Sequence, residues 1–133
     1  MAKNIKVISQ MLFGDLSNAR DPKMCEKPAT HPLTIGKDDD NDCVIGSSSL
    51  PFVSGHHGKL TYTKSWLSGK LWYEDMSKYG TLCLPPGVTD ITKGEPIHKK
   101  KIEIPNGSTL LVLQPHPENP KRRLGFALQV AVG

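Results

Sequence analysis

Short apolar and β-branched runs, cut at close intervals by proline and glycine, constrain this chain more than any other feature. Its 133 residues include 11 Pro and 12 Gly. Pro85-Pro86-Gly87 and Pro105-Asn106-Gly107 stand between runs as turn signals. The runs themselves are Ile5–Phe13, Leu33–Gly36, Cys43–Ile45, His57–Thr63, Lys70–Asp75, Thr81–Leu84, Lys101–Ile104, Ser108–Leu113 and Leu124–Val132. His57–Thr63 alternates with period two, as a half-buried strand does, and no segment carries a helical stripe. The Ser-Gly step ahead of Lys70 predicts a hairpin between those two runs. Leu16–Pro32, with its Asn, Asp and Pro, reads as a long loop, and Pro115–Lys121 as a hairpin loop. Ten to eleven short, mainly antiparallel strands with turns roughly every 8–12 residues predict an all-β sandwich or barrel.

Composition narrows the function classes. Hydrophobic residues make up 37% and charged residues 23%, which suits a folded, soluble domain with a core of its own. No apolar run approaches the roughly 20 residues that span a bilayer. Met1–Gln10 lacks the apolar core and cleavage site of a secretory signal, so the expected location is intracellular, with no membrane partner. Cys25, Cys43 and Cys83 are odd in number and form no C-x-x-C pair, and they read as three reduced thiols. Net charge is +4, with the excess in Lys99-Lys100-Lys101 and Lys121-Arg122-Arg123. Such a balance suits nucleic acid, phosphoproteins or acidic peptides, and charge alone does not choose among them.

No motif points to catalysis: there is no nucleophile elbow, no P-loop and no dinucleotide fingerprint. His56 and His57 are adjacent, and neighbours on a strand face opposite ways, so one metal site would struggle to use both. Asp38-Asp39-Asp40 lacks the glycine of a calcium loop, since Cys43 fills that place, and it reads as a solvated acidic loop. His31, His98 and His116 show no ligand spacing. The expectation is therefore no enzyme, no metal and no cofactor. Trp66 and Trp72 read as core or hairpin packing.

Four fragments remain: Ile35-Gly36-Lys37, Asn41-Asp42-Cys43-Val44-Ile45, Val53-Ser54-Gly55-His56-His57, and Asp75-Met76-Ser77-Lys78-Tyr79-Gly80-Thr81. A phosphate dianion wants cations, a hydroxyl donor and backbone N–H groups converging from neighbouring loops. Lys37 and Lys78 offer cations, Ser54 a hydroxyl, and Gly55 a backbone that a ligand can approach closely. Loops at one end of a sandwich are a common place for such groups.

In this order and spacing the fragments resemble the signature of forkhead-associated (FHA) domains: I-G-R, then S-x-x-H, then D-x-S-x-N-G-T. The resemblance covers Leu33 to Leu113. Its Asp75–Thr81 run is similar to that of the DNA-damage adaptor nibrin, and its Val53–His57 run to that of checkpoint ubiquitin ligases carrying this domain. The resemblance implies an FHA-type sandwich over residues 1–133, with binding loops at one end, compatible with the N-terminal part of a larger protein. It implies a phosphothreonine-dependent protein-binding module in nuclear signalling of DNA-damage or cell-cycle type, with a monomer favoured. It places Lys37 where the phosphate-binding Arg usually stands, Ser54 at the phosphate-binding Ser, and Tyr79 where an Asn usually holds the peptide backbone. His57 stands at a His that braces the loops, with Gly36, Gly80 and Thr81 as structural partners. Lys for Arg keeps the charge but loses the planar fork. Tyr for Asn removes an amide that both donates and accepts. Two alternatives follow: a degenerate FHA scaffold or dimerisation module that needs no phosphate, and a nucleic-acid binder working through its basic runs with a steep salt dependence.

Overall fold

A computed structural model describes residues 3–46, 50–119 and 122–133. Two sheets face each other. One runs edge to edge through β2 (Asp15–Pro28), β1 (Asn4–Phe13), β11 (Leu124–Val132), β10 (Thr109–Leu113), β7 (Thr81–Leu84) and β8 (Glu95–Ile97). The other runs through β4 (Cys43–Val44), β3 (Leu33–Gly36), β5 (Gly58–Lys64), β6 (Gly69–Asp75) and β9 (Lys101–Ile104). All pairings are antiparallel except β3 with β4, where Ile35 stands beside Cys43. Each run expected to be a strand is one.

Alternation decides the faces. Ile5 and Val7 of β1 and Phe126, Leu128 and Val130 of β11 turn inward against Leu33, Ile35, Leu60, Leu71 and Tyr73 of the opposite sheet. Each such side chain, removed from water, contributes about 1.5–3 kcal/mol. A second cluster, Leu12, Leu84, Leu111 and Ala127, lies on the outer face of the six-stranded sheet, with Leu16, Val88 and Ile91 packed over it. The β11 sequence Gly125–Leu128 is buried on both faces for this reason.

One expectation fails. Leu16–Pro32 contains a strand: β2 pairs with β1 from Asn4–Pro28 through Val7–Cys25 to Phe13–Asp15. As an edge strand it buries only Cys25, so its sequence carries almost no hydrophobic alternation. Its register shifts between Ser9 and Phe13, and Asp21 takes a positive φ of 54°. Charges and proline are what an edge strand tolerates and what deters further pairing. β8 and the 3-10 turn Ile91–Lys93 escaped sequence reading because each spans three residues.

Register brings the chain reversals to two poles. Residues 37–42, 45–46, 50–57, 76–80, 98–100, 114–119 and 122–123 leave the strands at one pole. Of the expected turn at 46–51 and loop at 115–121, residues 47–49, Pro120 and Lys121 lie outside the described residues. The Ser65–Ser68 turn is at the other pole, where Trp66 is 90% exposed and packs in no core. Trp72, by contrast, donates to Thr63 Oγ1 and lies under Lys101 Nζ. Asn4 and Gly133 exchange backbone hydrogen bonds, so the two ends of the described chain lie side by side. No helix among the described residues is long and apolar enough to cross a membrane.

Candidate functional site

β6 ends on Asp75, a residue only 2% exposed; its carboxylate is the hub of the loops. It accepts from the Ser77 Oγ at 2.8 and 2.9 Å, the Thr81 Oγ1 at 2.8 Å, the Ser77 N–H at 3.2 Å and the Lys99 N–H at 2.9 Å. Ser77 Oγ in turn accepts from the Gly80 N–H at 2.8 Å, a turn that needs the glycine because φ there is +91°. Thr81 gives its hydrogen to Asp75, so its oxygen accepts from the Tyr73 hydroxyl at 2.8 Å and from His57 Nε2 at 3.1 Å. His57 Nδ1 accepts from the Ser54 N–H at 3.1 Å, which fixes the ring as the neutral tautomer protonated on Nε2. Burial holds the His57 pKa below its ordinary 6.5, although the Asp75 charge pulls the other way. Burial likewise pushes the Tyr73 phenol up, keeping it a donor. Every polar side chain in this cluster has a partner, the condition for a stable buried network.

Above it lie the groups that reach solvent. Ser54 Oγ accepts from the Lys78 N–H at 3.0 Å, joining the loop before β5 to the loop before β7. Its hydroxyl hydrogen meets no acceptor among the described residues. The loop after β3 is stitched to the same place: the Lys37 N–H donates to Ser54 O at 3.1 Å and the Asp38 N–H to Gly55 O at 3.2 Å. Buried Asn41 reinforces this through Nδ2, which donates to Asp38 O at 2.8 Å and Gly55 O at 2.7 Å. Gly36 packs so closely on the Gly55 carbonyl that a Cβ would collide with it. The backbones of Lys37 and Lys78 therefore both meet Ser54, and Gly36, His57, Gly80 and Thr81 lie on the same connected loops. The two lysine ammonium groups carry no ion pair among the described residues. Lys78 Nζ sits 5.4 Å from the centre of the Tyr79 ring, which is 48% exposed.

Two features were not read from the sequence. The Asp38 carboxylate lies over Gly55, 2.5 Å from where a Cβ would stand, so a side chain there would push the acid aside. Exposed His56 accompanies it, with Nε2 3.7 Å from Asp38 Oδ2 and 3.5 Å from Asp40 Oδ2, while His57 is buried. Asn41, Lys99 and His98 also support the site from outside the motifs. His98 Nε2 donates to Ser77 O at 3.2 Å, and Lys99 takes a positive φ of 52° that aims its N–H at Asp75. An isolated Lys at positive φ leaves no mark in a sequence. Of the basic runs, Lys101 Nζ lies over the Trp72 ring, Arg123 has a buried Nε, and Lys121 lies outside the described residues.

Comparison with known proteins gives one family and several solved structures of similar fold. The FHA domain family model matches residues 33–112. Among solved structures, the MEK1 FHA domain is similar at 12% identity and a TM-score of 0.62, covering 96% of this chain and 89% of that one. The same domain in complex with the HOP1 pThr318 peptide matches at 13% identity and 0.51, covering 89% and 93%. The yeast Dun1 FHA domain, in complex with a doubly phosphorylated peptide derived from Rad53, matches at 14% identity and 0.54, covering 94% and 74%. At such identities the likeness speaks for the fold. No curated protein sequence matches the chain.

Proposed function

Because this chain belongs to the forkhead-associated family, whose domains are protein-interaction modules, we propose that residues 1–133 act as one phosphothreonine-dependent binding module without catalytic activity. The observation that carries the reading is the Ser54 Oγ–Lys78 N–H bond, which leaves a hydroxyl hydrogen with no acceptor, on a loop joined to those of two lysines that make no ion pair, among the described residues. In this reading Ser54 donates to a phosphate oxygen, Lys37 and Lys78 neutralise the dianion, and the Gly55 backbone faces the ligand. Tyr79 lines the path of the residues that follow. His57, Gly36, Gly80 and Thr81 hold the loops. Each charge-assisted hydrogen bond contributes about 1.5–3 kcal/mol, which suits micromolar peptide affinity once ordering is deducted.

The test is fluorescence anisotropy against a degenerate phosphothreonine library and its unphosphorylated twin. Ser54→Ala and Lys37→Ala are each expected to weaken phosphate-dependent binding about tenfold or more. Equal binding of both libraries would instead favour a phosphate-independent scaffold, a reading supported by Lys37, Tyr79 and the Asp38 carboxylate over Gly55. A monomer in nuclear signalling of DNA-damage or cell-cycle type is the setting the motifs suggest. Light scattering of the purified chain and imaging of a tagged chain before and after genotoxic stress check those two points.

A further inference from the structure

β2 closes one end of the six-stranded sheet and β4 one end of the five-stranded sheet. A salt bridge brings these two edges together. Lys27 Nζ of β2 donates to Asp42 Oδ1 at 3.1 Å and Oδ2 at 3.0 Å, and Asp42 directly precedes β4. Cys25, two residues before Lys27 and so on the same face of β2, is the one residue of that strand that is buried. Cys43, the first residue of β4, is fully buried beside Ile35. Both side chains enter one core cluster from opposite sheets. Burial, and then the Cys25 side chain as a hydrogen-bonding neighbour, push the Cys43 thiol up, so the two sulfurs are adjacent. Ser9, two residues beyond the Cys25 partner Val7, reaches the same thiol. Cys83 sits apart in β7, with Ser108 as its neighbour.

A disulfide requires side chains that point at each other, and here they do so from two sheets. We propose that Cys25 and Cys43 are a modification site: hydrogen peroxide oxidises them to an intrachain disulfide that staples the sheets at their open edge. Cys25 is attacked first, because it is 7% exposed on a strand with a single neighbour, and edges open more cheaply than centres. Cys43, sealed and held as a thiol, is the resolving sulfur. The Cys25 thiolate attacks one peroxide oxygen. The S–O bond forms, the O–O bond breaks, and the departing hydroxide takes up the proton Cys25 gave to solvent, leaving as water. The Cys43 thiol then attacks the Cys25 sulfur. The S–S bond forms, the S–O bond breaks, and hydroxide leaves with the Cys43 proton as a second water. Two electrons have passed from the sulfurs to the peroxide. The bridge closes residues 25–43 into a loop that contains β3 and the 37–42 segment, fixing that segment to β2 beside the Lys27–Asp42 ion pair. The site does not depend on the phosphopeptide reading.

The test treats the full chain with hydrogen peroxide, alkylates its remaining thiols in denaturant, and reads the intact mass and the digest. Free thiols are expected to fall from three to one, with the Cys25 and Cys43 peptides joined, Cys83 alkylated and no link between chains. Dithiothreitol should restore all three. The oxidised chain should unfold about 10 °C above the reduced one, because a closed loop of this size restricts the unfolded state. Cys25→Ser and Cys43→Ser should each lose the bridge and the shift, and Cys83→Ser should keep both. Three thiols surviving peroxide, a bridge that includes Cys83 or joins two chains, or Cys25 driven to sulfinic acid with Cys43 left free would each overturn the proposal. Mapping on the unaltered chain decides the matter even where a serine variant fails to fold.

Discussion

Behind the loop tips, Asp75, Ser77, Thr81, Tyr73 and His57 are bound to one another at every polar side chain. In front, Lys37 and Lys78 hold ammonium groups that meet no acid among the described residues. The two layers belong to the same loops, within two or three residues of each other, yet they obey different rules. The rear layer tolerates no unpaired group, because water cannot reach it. The front layer, on the proposed reading, keeps unpaired groups for a ligand to find. The departures from the family signature, Lys37 and Tyr79, both fall in front. Ser54, His57, Asp75, Ser77, Gly80 and Thr81, which keep the signature, are rear residues or hinge on them. The difference teaches that most of such a signature specifies how loops are held.

The comparison breaks first, and by the largest margin, at Asp75. Asp75→Ala removes the acceptor of two backbone N–H groups and two hydroxyls, and urea unfolding should show a loss of about 3 kcal/mol or more. Lys37→Ala, from the front layer, should stay within about 0.5 kcal/mol. Equal costs would erase the distinction between layers.

A smaller effect concerns pH. The unfolded chain protonates His57 near its ordinary 6.5, whereas the buried ring in the folded chain resists until the pH is lower. Between those points the unfolded state binds more protons. The stability His57 contributes is thus complete above about pH 6.5 and declines as pH falls through that value. Urea-derived stability from pH 7.5 to 5 should slope downward toward acid, and His57→Gln should flatten that part of the slope. An unchanged slope would mean the imidazole takes up its proton without loss of the network.

The smallest effect lies in the front layer. Asp38 sets a carboxylate next to the proposed phosphate position, so Asp38→Asn should tighten phosphopeptide binding about two- to fivefold at low salt and less at high salt. No change at any salt concentration would place Asp38 outside the field of the ligand.

The sandwich was legible because its inner strands alternate: Ile5 and Val7, Leu33 and Ile35, Leu71 and Tyr73 face one core. β2 was not, because a strand with a single neighbour needs no buried face and announces itself only through partners in β1. At the loops, the spacing of Ser54, His57 and the Asp75–Thr81 run could be read because local turns impose it. Asp38 over Gly55, the Lys99 N–H on Asp75 and the buried Arg123 Nε could not. Those depend on which strands end at the same pole, and that is decided by sheet order.

The reciprocal hydrogen bonds between Asn4 and Gly133 have a practical consequence. Loop-closure entropy grows slowly with length, and here Asn4 and Gly133 already touch, so a linker of a few residues between them would make residues 4–133 a ring. Such a ring could be reopened at the Ser65–Ser68 turn, which is exposed and far from the lysines, giving a permuted chain with both new ends beside Trp66. For immobilisation or fusion, either arrangement leaves the loop pole facing away from the attachment.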